Sequence, residues 1–389
     1  MRVAIFTDTY LPDINGVART LGRWTEYLKH RGVDYRVFAP DHRLRERAAD
    51  KKGVERFYSI PFLLYPECRL ALPNPVQIKK ALARFRPSLI HVATPFNLGL
   101  YGKHYAKKHR IPLVASYHTH FDQYLTDYKM DWLEPLLWKY MHWFHADCQK
   151  IFVPSLSAKK VLEKRGFRRL EIWGRGVDTV EFNPGFRLYR EETLRECGAC
   201  PHKFTLLYVG RLAPEKNVEL LIDVWELLPD DVRAGAQWVI VGDGPLYDVL
   251  VKRAEHKPIY CIGFKEGKQL SRLYAAADLF VFPSATETFG NVILEAMASG
   301  TAVIGAAKGG VKENVKDGRT GLLCPPDDAR AFAEAIERLF RDQVLLNQIA
   351  RSGLEHARRQ SWNTVFSGLF HQYRSVLSTS SAQTFVSAG

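Results

Sequence analysis

Cysteine is scarce and scattered in this chain: six in 389 residues, at positions 68, 148, 197, 200, 261 and 324. Cys197 and Cys200 form one CxxC, but no second pair or histidine cluster completes a tetrahedral zinc site. Free thiols in a reducing compartment are the expectation. Long apolar runs are missing too. No stretch approaches the roughly 18–20 apolar residues a membrane-spanning helix needs. The opening "MRVAIFTDTYLPD" turns polar after Phe6, so its apolar run is too short for a signal peptide and reads as a first buried strand, which places the protein in the cytoplasm. "VGDGPL" has Gly242 and Gly244 but no third glycine at dinucleotide-fingerprint spacing. No Asp-x-Asp motif stands at a strand end, so no essential metal or other cofactor is expected. Acidic residues are short in one half only. Residues 1–190 hold 33 Lys and Arg against 18 Asp and Glu, whereas residues 191–389 hold 22 against 24. The basic half is expected to meet something anionic, a nucleic acid or an anionic membrane face.

What is present is an α/β pattern. Short apolar runs such as "RVAIFTD", "SLIHVAT", "PLVASYH", "FTLLYVGR", "AQWVIVGDG" and "LFVFPS" alternate with helical stretches in both halves. Strand–helix alternation implies parallel sheets flanked by helices, here twice over: two doubly wound, Rossmann-like domains. The expected layout is a first domain over 1–182, a polar, strand-free linker over 183–203 and a second domain over 204–360. The last helix, 361–377, is expected to cross back to the first domain, and 378–389 reads as a loose tail. In such sheets ligands bind at the carboxyl ends of strands, over helix N-termini, so residues just after strands are the candidates.

After the first strand, Gly16 stands where a helix begins. It serves either close approach of a phosphate to free amides or a plain turn. After "PLVAS", His118 and His120 lack a third metal ligand; His118 is either a buried structural histidine or a group that steadies developing charge. "VGRLAPEK" places Arg211 and Lys216 directly after an apolar strand and before a helix, a pair of cations suited to a diphosphate. "ATETFGNVILEAMASG" puts Glu287 in a loop and Glu295 inside the next helix, with the amides of Phe289, Gly290, Asn291 and Val292 at the helix mouth. Carboxylates accept from paired hydroxyls, which suits sugar diols. Glutamate near a helix start is also favoured by the dipole alone.

In this order, Gly16, His118, "GR…EK" and "E-x7-E" resemble the retaining glycosyltransferases of family 4, which have the GT-B fold, and the resemblance runs to about residue 377. "GVDTVEFNP", "VGDGP", "SWN" and "GG…E…DG…G" over 309–321 also fit. "SYHTH" and "RGVDTVEFNP" are most similar to the lipid-directed branch, which includes sulfoquinovosyl-diacylglycerol synthases and bacterial GDP-mannose-dependent mannosyltransferases. The resemblance implies that two domains face each other across a cleft. It implies that Arg211 and Lys216 neutralise the donor diphosphate, Glu287 and the neighbouring amides hold hexose and phosphates, and Glu295 binds the ribose. Gly16 would approach the β-phosphate, His118 would support the donor sugar, and the base would rest near Gly263, Phe264 and Lys265. Asp13 and Asp122 are candidate acceptor contacts. The implied donor is a GDP- or UDP-linked hexose, and domain closure is expected to complete the site.

The acceptor stays open between a lipid and a saccharide. "YKMDWLEPLLWKYMHWF" (128–144) carries Trp132, Trp138 and Trp143 in the basic half, which suits either an anionic-lipid interface or a domain core. Two alternatives remain: a sugar-nucleotide epimerase of the same shape, which "E-x7-E" fits poorly, and a nucleic-acid binder, for which no module is present and which is not expected.

Overall fold

The structure, a computed structural model, describes residues 1–13, 15–41, 53–61, 69–117, 131–287 and 289–386. They form two compact units. One comprises residues up to Gly174 together with those from Phe366 onward, and the other Arg175–Val365.

The first unit holds strands β1 (Arg2–Phe6), β2 (Asp34–Pro40), β3 (Val54–Phe57), β4 (Ser59–Pro61) and β5 (Arg69–Ala71). It continues with β6 (Leu89–Val92), β7 (Leu113–Ser116), β8 (Lys150–Val153) and β9 (Leu170–Ile172). Seven of them make a parallel sheet in the order β3-β2-β1-β6-β7-β8-β9, while β4 and β5 pair antiparallel. Val3, Ala4, Ile5 and Phe6 are fully buried, as a strand covered on both faces requires. Helix Gly16–His30 buries Val17, Leu21, Trp24 and Leu28 along one stripe. Two helices of this unit carry lysines in the last turn: Lys29 in this one, and Lys107 and Lys108 in helix Asn97–His109. These complement helix C-terminal dipoles and absorb part of the basic surplus.

The last helix, Trp362–Val386, supplies Phe366 and Tyr373 to the first unit, with ring centroids 5.3 and 5.4 Å from Trp24. The Tyr373 hydroxyl shares a 2.6 Å hydrogen bond with His91 Nδ1 in the core. This helix does not stop at 377. The hydroxyls of Ser378 and Thr379 donate to the Ser375 carbonyl, at 2.9 and 3.0 Å, and the backbone stays helical to Val386. The loose tail expected over 378–389 is therefore helix through most of its length.

The second unit holds β10 (Phe204–Val209), β11 (Ala236–Val241), β12 (Ile259–Cys261), β13 (Leu279–Phe282), β14 (Ala302–Ala306) and β15 (Leu322–Cys324) in one parallel sheet. Its order, β12-β11-β10-β13-β14-β15, reverses direction between β10 and β13, so the loops after these two strands lie side by side at a switch point.

The stretch 183–203 is not a linker. It forms a 3-10 turn, Pro184–Tyr189, and helix Arg190–Glu196, both within the second unit. Asp278 anchors it, taking Arg187 at 2.6 Å and Arg190 at 2.8 Å, and the same guanidinium groups reach backbone carbonyls of Ala275, Ala276 and Ala277. Arg187 and Arg190, inside the stretch expected to be a linker, are fasteners.

Candidate active site

The switch point collects the acidic and basic candidates of the second unit. β10 ends at Val209, and the chain then turns through Arg211 to a 3-10 turn, Pro214–Lys216. β13 ends at Phe282, and residues 283–290 lead into helix Asn291–Ala298, whose N-cap Gly290 is left-handed (φ 65°). Lys216 Nζ lies 2.7 Å from Glu287 Oε2, and Glu287 Oε1 accepts from the Gly290 amide at 3.4 Å. The Thr286 hydroxyl donates to the Glu215 carbonyl at 2.8 Å, fastening one loop to the other.

Both loops are braced from behind by glycines. Gly310 N donates to the Glu287 carbonyl at 2.7 Å, and a Cβ on Gly309 (φ 56°) would stand 2.5 Å from that same oxygen. The Asn314 side-chain amide donates to the Phe289 carbonyl. On the other loop, a Cβ on Gly242 would stand 1.8 Å from the Gly210 carbonyl oxygen and one on Gly244 2.4 Å from that of Leu212. The pair that fails as a dinucleotide fingerprint thus lets two backbones meet and seats the Arg211 loop.

Tyr208, buried in β10, donates its hydroxyl to the Arg211 carbonyl at 3.1 Å. Burial, with the Glu287 and Glu215 charges adding to it, pushes its ionisation up, so it stays a donor. The Arg211 side chain is two-thirds exposed and lies 3.6 Å from Glu215. Glu295 is held separately: fully buried Tyr274 donates its hydroxyl to Glu295 Oε2 at 2.9 Å. Burial and then the Glu295 charge keep that hydroxyl protonated. The Gly263 carbonyl accepts from the Gly242 amide at 3.0 Å, Phe264 is two-thirds exposed and Lys265 partly buried.

In the first unit Asp13 and Gly16 sit just beyond β1. Asp13 Oδ2 accepts from the Thr9 hydroxyl at 3.0 Å and the Tyr10 amide at 3.3 Å. Gly16 opens its helix, but the mouth is partly occupied: Asn15 Oδ1 accepts from Val17 N and Ala18 N at 3.1 and 2.9 Å. Those two amides are not free for a phosphate. His118, His120 and Asp122 lie outside the described residues, and no cluster of three metal-ligating side chains occurs among the described ones.

The structure therefore joins Lys216, Glu287 and Gly290 at one helix mouth, sets Arg211 on the adjoining loop, and holds Glu295 within the helix on Tyr274. Tyr208, Tyr274 and Asn314 are additions. A lone hydroxyl in the apolar run "LLYVGR" is the one sequence signal for Tyr208; the other two carry none. Chemically, two cations and a helix N-terminus can accept charge building on a departing phosphate, beside carboxylates that can hold hydroxyls.

Two parallel-sheet, Rossmann-like units in one chain are the components of the GT-B fold of glycosyltransferases. Residues 14–181 match the model described as Glycosyltransferase Family 4, and 190–356 that described as Glycosyl transferases group 1. A sulfoquinovosyl transferase of Arabidopsis thaliana, SQD2, is 30% identical, covering 93% of this chain and 71% of the relative. A GDP-mannose-dependent alpha-mannosyltransferase of Mycolicibacterium smegmatis is 33% identical over 97% of this chain and 98% of its own length. The crystal structure of HepE from Anabaena, in complex with UDP, superposes with a TM-score of 0.73 at 20% identity, covering 96% of this chain and all of that one. This chain belongs to the group 1, family 4 glycosyltransferases and is an enzyme of that kind.

Proposed function

We propose that this enzyme moves a hexose from GDP-mannose or a UDP-hexose to a lipid or saccharide acceptor at a membrane surface, with retention of anomeric configuration. The observation that carries the reading is the Lys216–Glu287 pair at the mouth of helix Asn291–Ala298, 2.7 Å apart, with Arg211 on the adjoining loop. As the anomeric carbon becomes oxocarbenium-like, negative charge builds on the diphosphate. Arg211, Lys216 and the amides of Phe289, Asn291 and Val292 take up that charge, and the Gly290 amide, which meets Glu287 at 3.4 Å here, joins them when Glu287 turns to the hexose; losing one such contact costs about 3–4 kcal/mol in the barrier. Glu287 holds the hexose, Glu295 the ribose, and the base rests near Gly263, Phe264 and Lys265. Gly16 is assigned to the β-phosphate, His118 to the donor sugar, and Asp13 and Asp122 to the acceptor. The leaving phosphate deprotonates the acceptor on the same face. The mechanism invokes no metal, so EDTA is expected to leave turnover unchanged.

A lipid acceptor is favoured by one surface. Trp132, Leu136 and Trp143 are 76%, 63% and 56% exposed, whereas Trp138 is buried. With exposed Lys139 they recur at spacings of four, three and four through the turn Asp131–Leu133 and helix Glu134–His145, which places them on one face. Tryptophans flanking a lysine on one helix face suit an interface with anionic lipid. Among the described residues no helix is long and apolar enough to cross a membrane; we infer peripheral attachment to the inner face of the cell membrane.

The test is to incubate the protein with UDP-glucose and with GDP-mannose, with and without a lipid extract. The products to follow are nucleoside diphosphate and, by mass spectrometry, hexosylated lipid. Release of nucleoside diphosphate that rises with lipid supports the reading; its absence with every donor tried, or isomerised free sugar as sole product, overturns it.

A further inference from the structure

Arg175 is the first residue of the second unit. It stands between two glycines in "WGRGV", and its backbone is fixed on both sides. Before it, Trp173 N donates to the Val153 carbonyl at 2.8 Å, and the Trp173 ring packs edge-on to Phe152 in the first unit's core. After it, Val177 N donates to the Gln360 carbonyl at 2.9 Å and Trp362 N to the Val177 carbonyl at 3.2 Å. Gly176 lies so close to Trp362 that a Cβ would stand 2.7 Å from its amide nitrogen.

From that fixed origin the Arg175 guanidinium lies over the Phe289 ring, with Cζ 4.0 Å from its centroid. Phe289 is the residue before Gly290, the left-handed cap of helix Asn291–Ala298. Its carbonyl is already pinned by Asn314 on one side, so Arg175 fixes the ring on the other. Resting on the donor reading above, we propose that Arg175 is a positioning residue for the diphosphate: through Phe289 it sets the amides at the helix mouth.

Losing a cation–π contact of this kind is expected to change affinity by about tenfold, roughly 1.4 kcal/mol. The experiment measures binding of GDP and of UDP by titration calorimetry to the full chain, to Arg175→Leu, Phe289→Leu, the double variant and Arg175→Lys, with unfolding midpoints alongside. Arg175→Leu is expected to weaken the better-bound nucleotide roughly tenfold, and Arg175→Lys to restore part of it. The double variant should lose less than the sum of the two single losses, because part of each acts through the contact the two residues share. Unaltered binding by Arg175→Leu, or losses that simply add in the double variant, overturns the proposal. Folded wild-type protein that binds neither nucleotide instead overturns the donor reading, and this proposal falls with it.

Discussion

Lys216 Nζ and Glu287 Oε2 lie 2.7 Å apart, joining the loop after β10 to the loop after β13. An ammonium has three donors, and this contact with Glu287 uses one. The cation is thus fixed in place while keeping hydrogen-bonding capacity for a second anion. The glutamate keeps lone pairs for hydroxyls while its other oxygen meets the Gly290 amide. The pair is a preorganised electrostatic element more than a stabilising one, since both side chains are about a fifth exposed and such pairs are worth up to about 1 kcal/mol.

Replacing Lys216 by alanine should therefore separate rate from stability. Turnover is expected to fall by about 10²–10³, the scale of one lost transition-state contact, while the unfolding midpoint moves little. Arg211→Ala should behave likewise. Steady-state rates and a thermal melt check both, and near-normal turnover in either variant removes the diphosphate clamp.

Much of this was legible before the structure because it follows from chain chemistry. Buried parallel strands are continuous apolar runs, so the twin sheets could be read from "RVAIF" and "AQWVIV". Arg211 and Lys216 follow directly after such a run, and the structure sets both on the loop after β10 at the switch point. What was not legible depends on distant backbone. Gly309 matters because of a carbonyl at residue 287, and Gly242 because of one at residue 210; no local pattern carries that. Arg187 and Arg190 looked like linker surface because Asp278, their anchor, lies far along the chain. The 128–144 stretch divided, Trp138 inward and Trp132 and Trp143 outward, since helical spacing splits neighbours between faces.

Tyr274 is expected to act only through Glu295. Tyr274→Phe keeps the ring and removes the 2.9 Å donor. A hydrogen bond to a charged group contributes about 1.5–3 kcal/mol, so nucleotide affinity should drop roughly tenfold or more with kcat nearly kept. Calorimetry with GDP and UDP gives the answer. If affinity is unchanged, Tyr274 serves the core alone and does not order Glu295 for the ribose.

The exposed aromatic face makes a separate prediction. Trp132→Ser with Leu136→Ser should leave the melt close to wild type, because these side chains are 76% and 63% exposed, whereas Trp143 carries the buried Lys103 ammonium 4.2 Å from its ring and is left in place. Sedimentation with vesicles containing anionic lipid should show less bound protein than wild type, and wild type itself should dissociate when the anionic lipid is withheld. Equal partitioning of variant and wild type would assign the face to something other than a membrane.

The last prediction concerns two buried groups in the first unit whose ionisation opposes each other. Asp8, just past β1, is fully buried. Burial raises its carboxyl from 3.8 to about 7, against hydrogen bonds from the Thr94 hydroxyl at 2.7 Å and the Leu98 amide at 3.5 Å. Between those values the native state keeps a proton that the unfolded chain has lost. The associated stability is full below pH 3.8 and is lost as pH rises through about 7. His145 runs the other way: burial lowers it from 6.5 to about 4, so its contribution is full above 6.5 and is lost as pH falls through about 4. Over most of this window the two slopes oppose, and they partly cancel in the wild type. Asp8→Asn removes one of them. Moving a carboxyl from 3.8 to about 7 is worth on the order of 4 kcal/mol. The stability of the variant relative to wild type should therefore improve by up to about that amount between pH 4 and 7. Unfolding midpoints of both proteins across buffers in this range measure it, and a gap that does not change with pH would mean that the Asp8 carboxyl ionises in the fold as freely as in the unfolded chain.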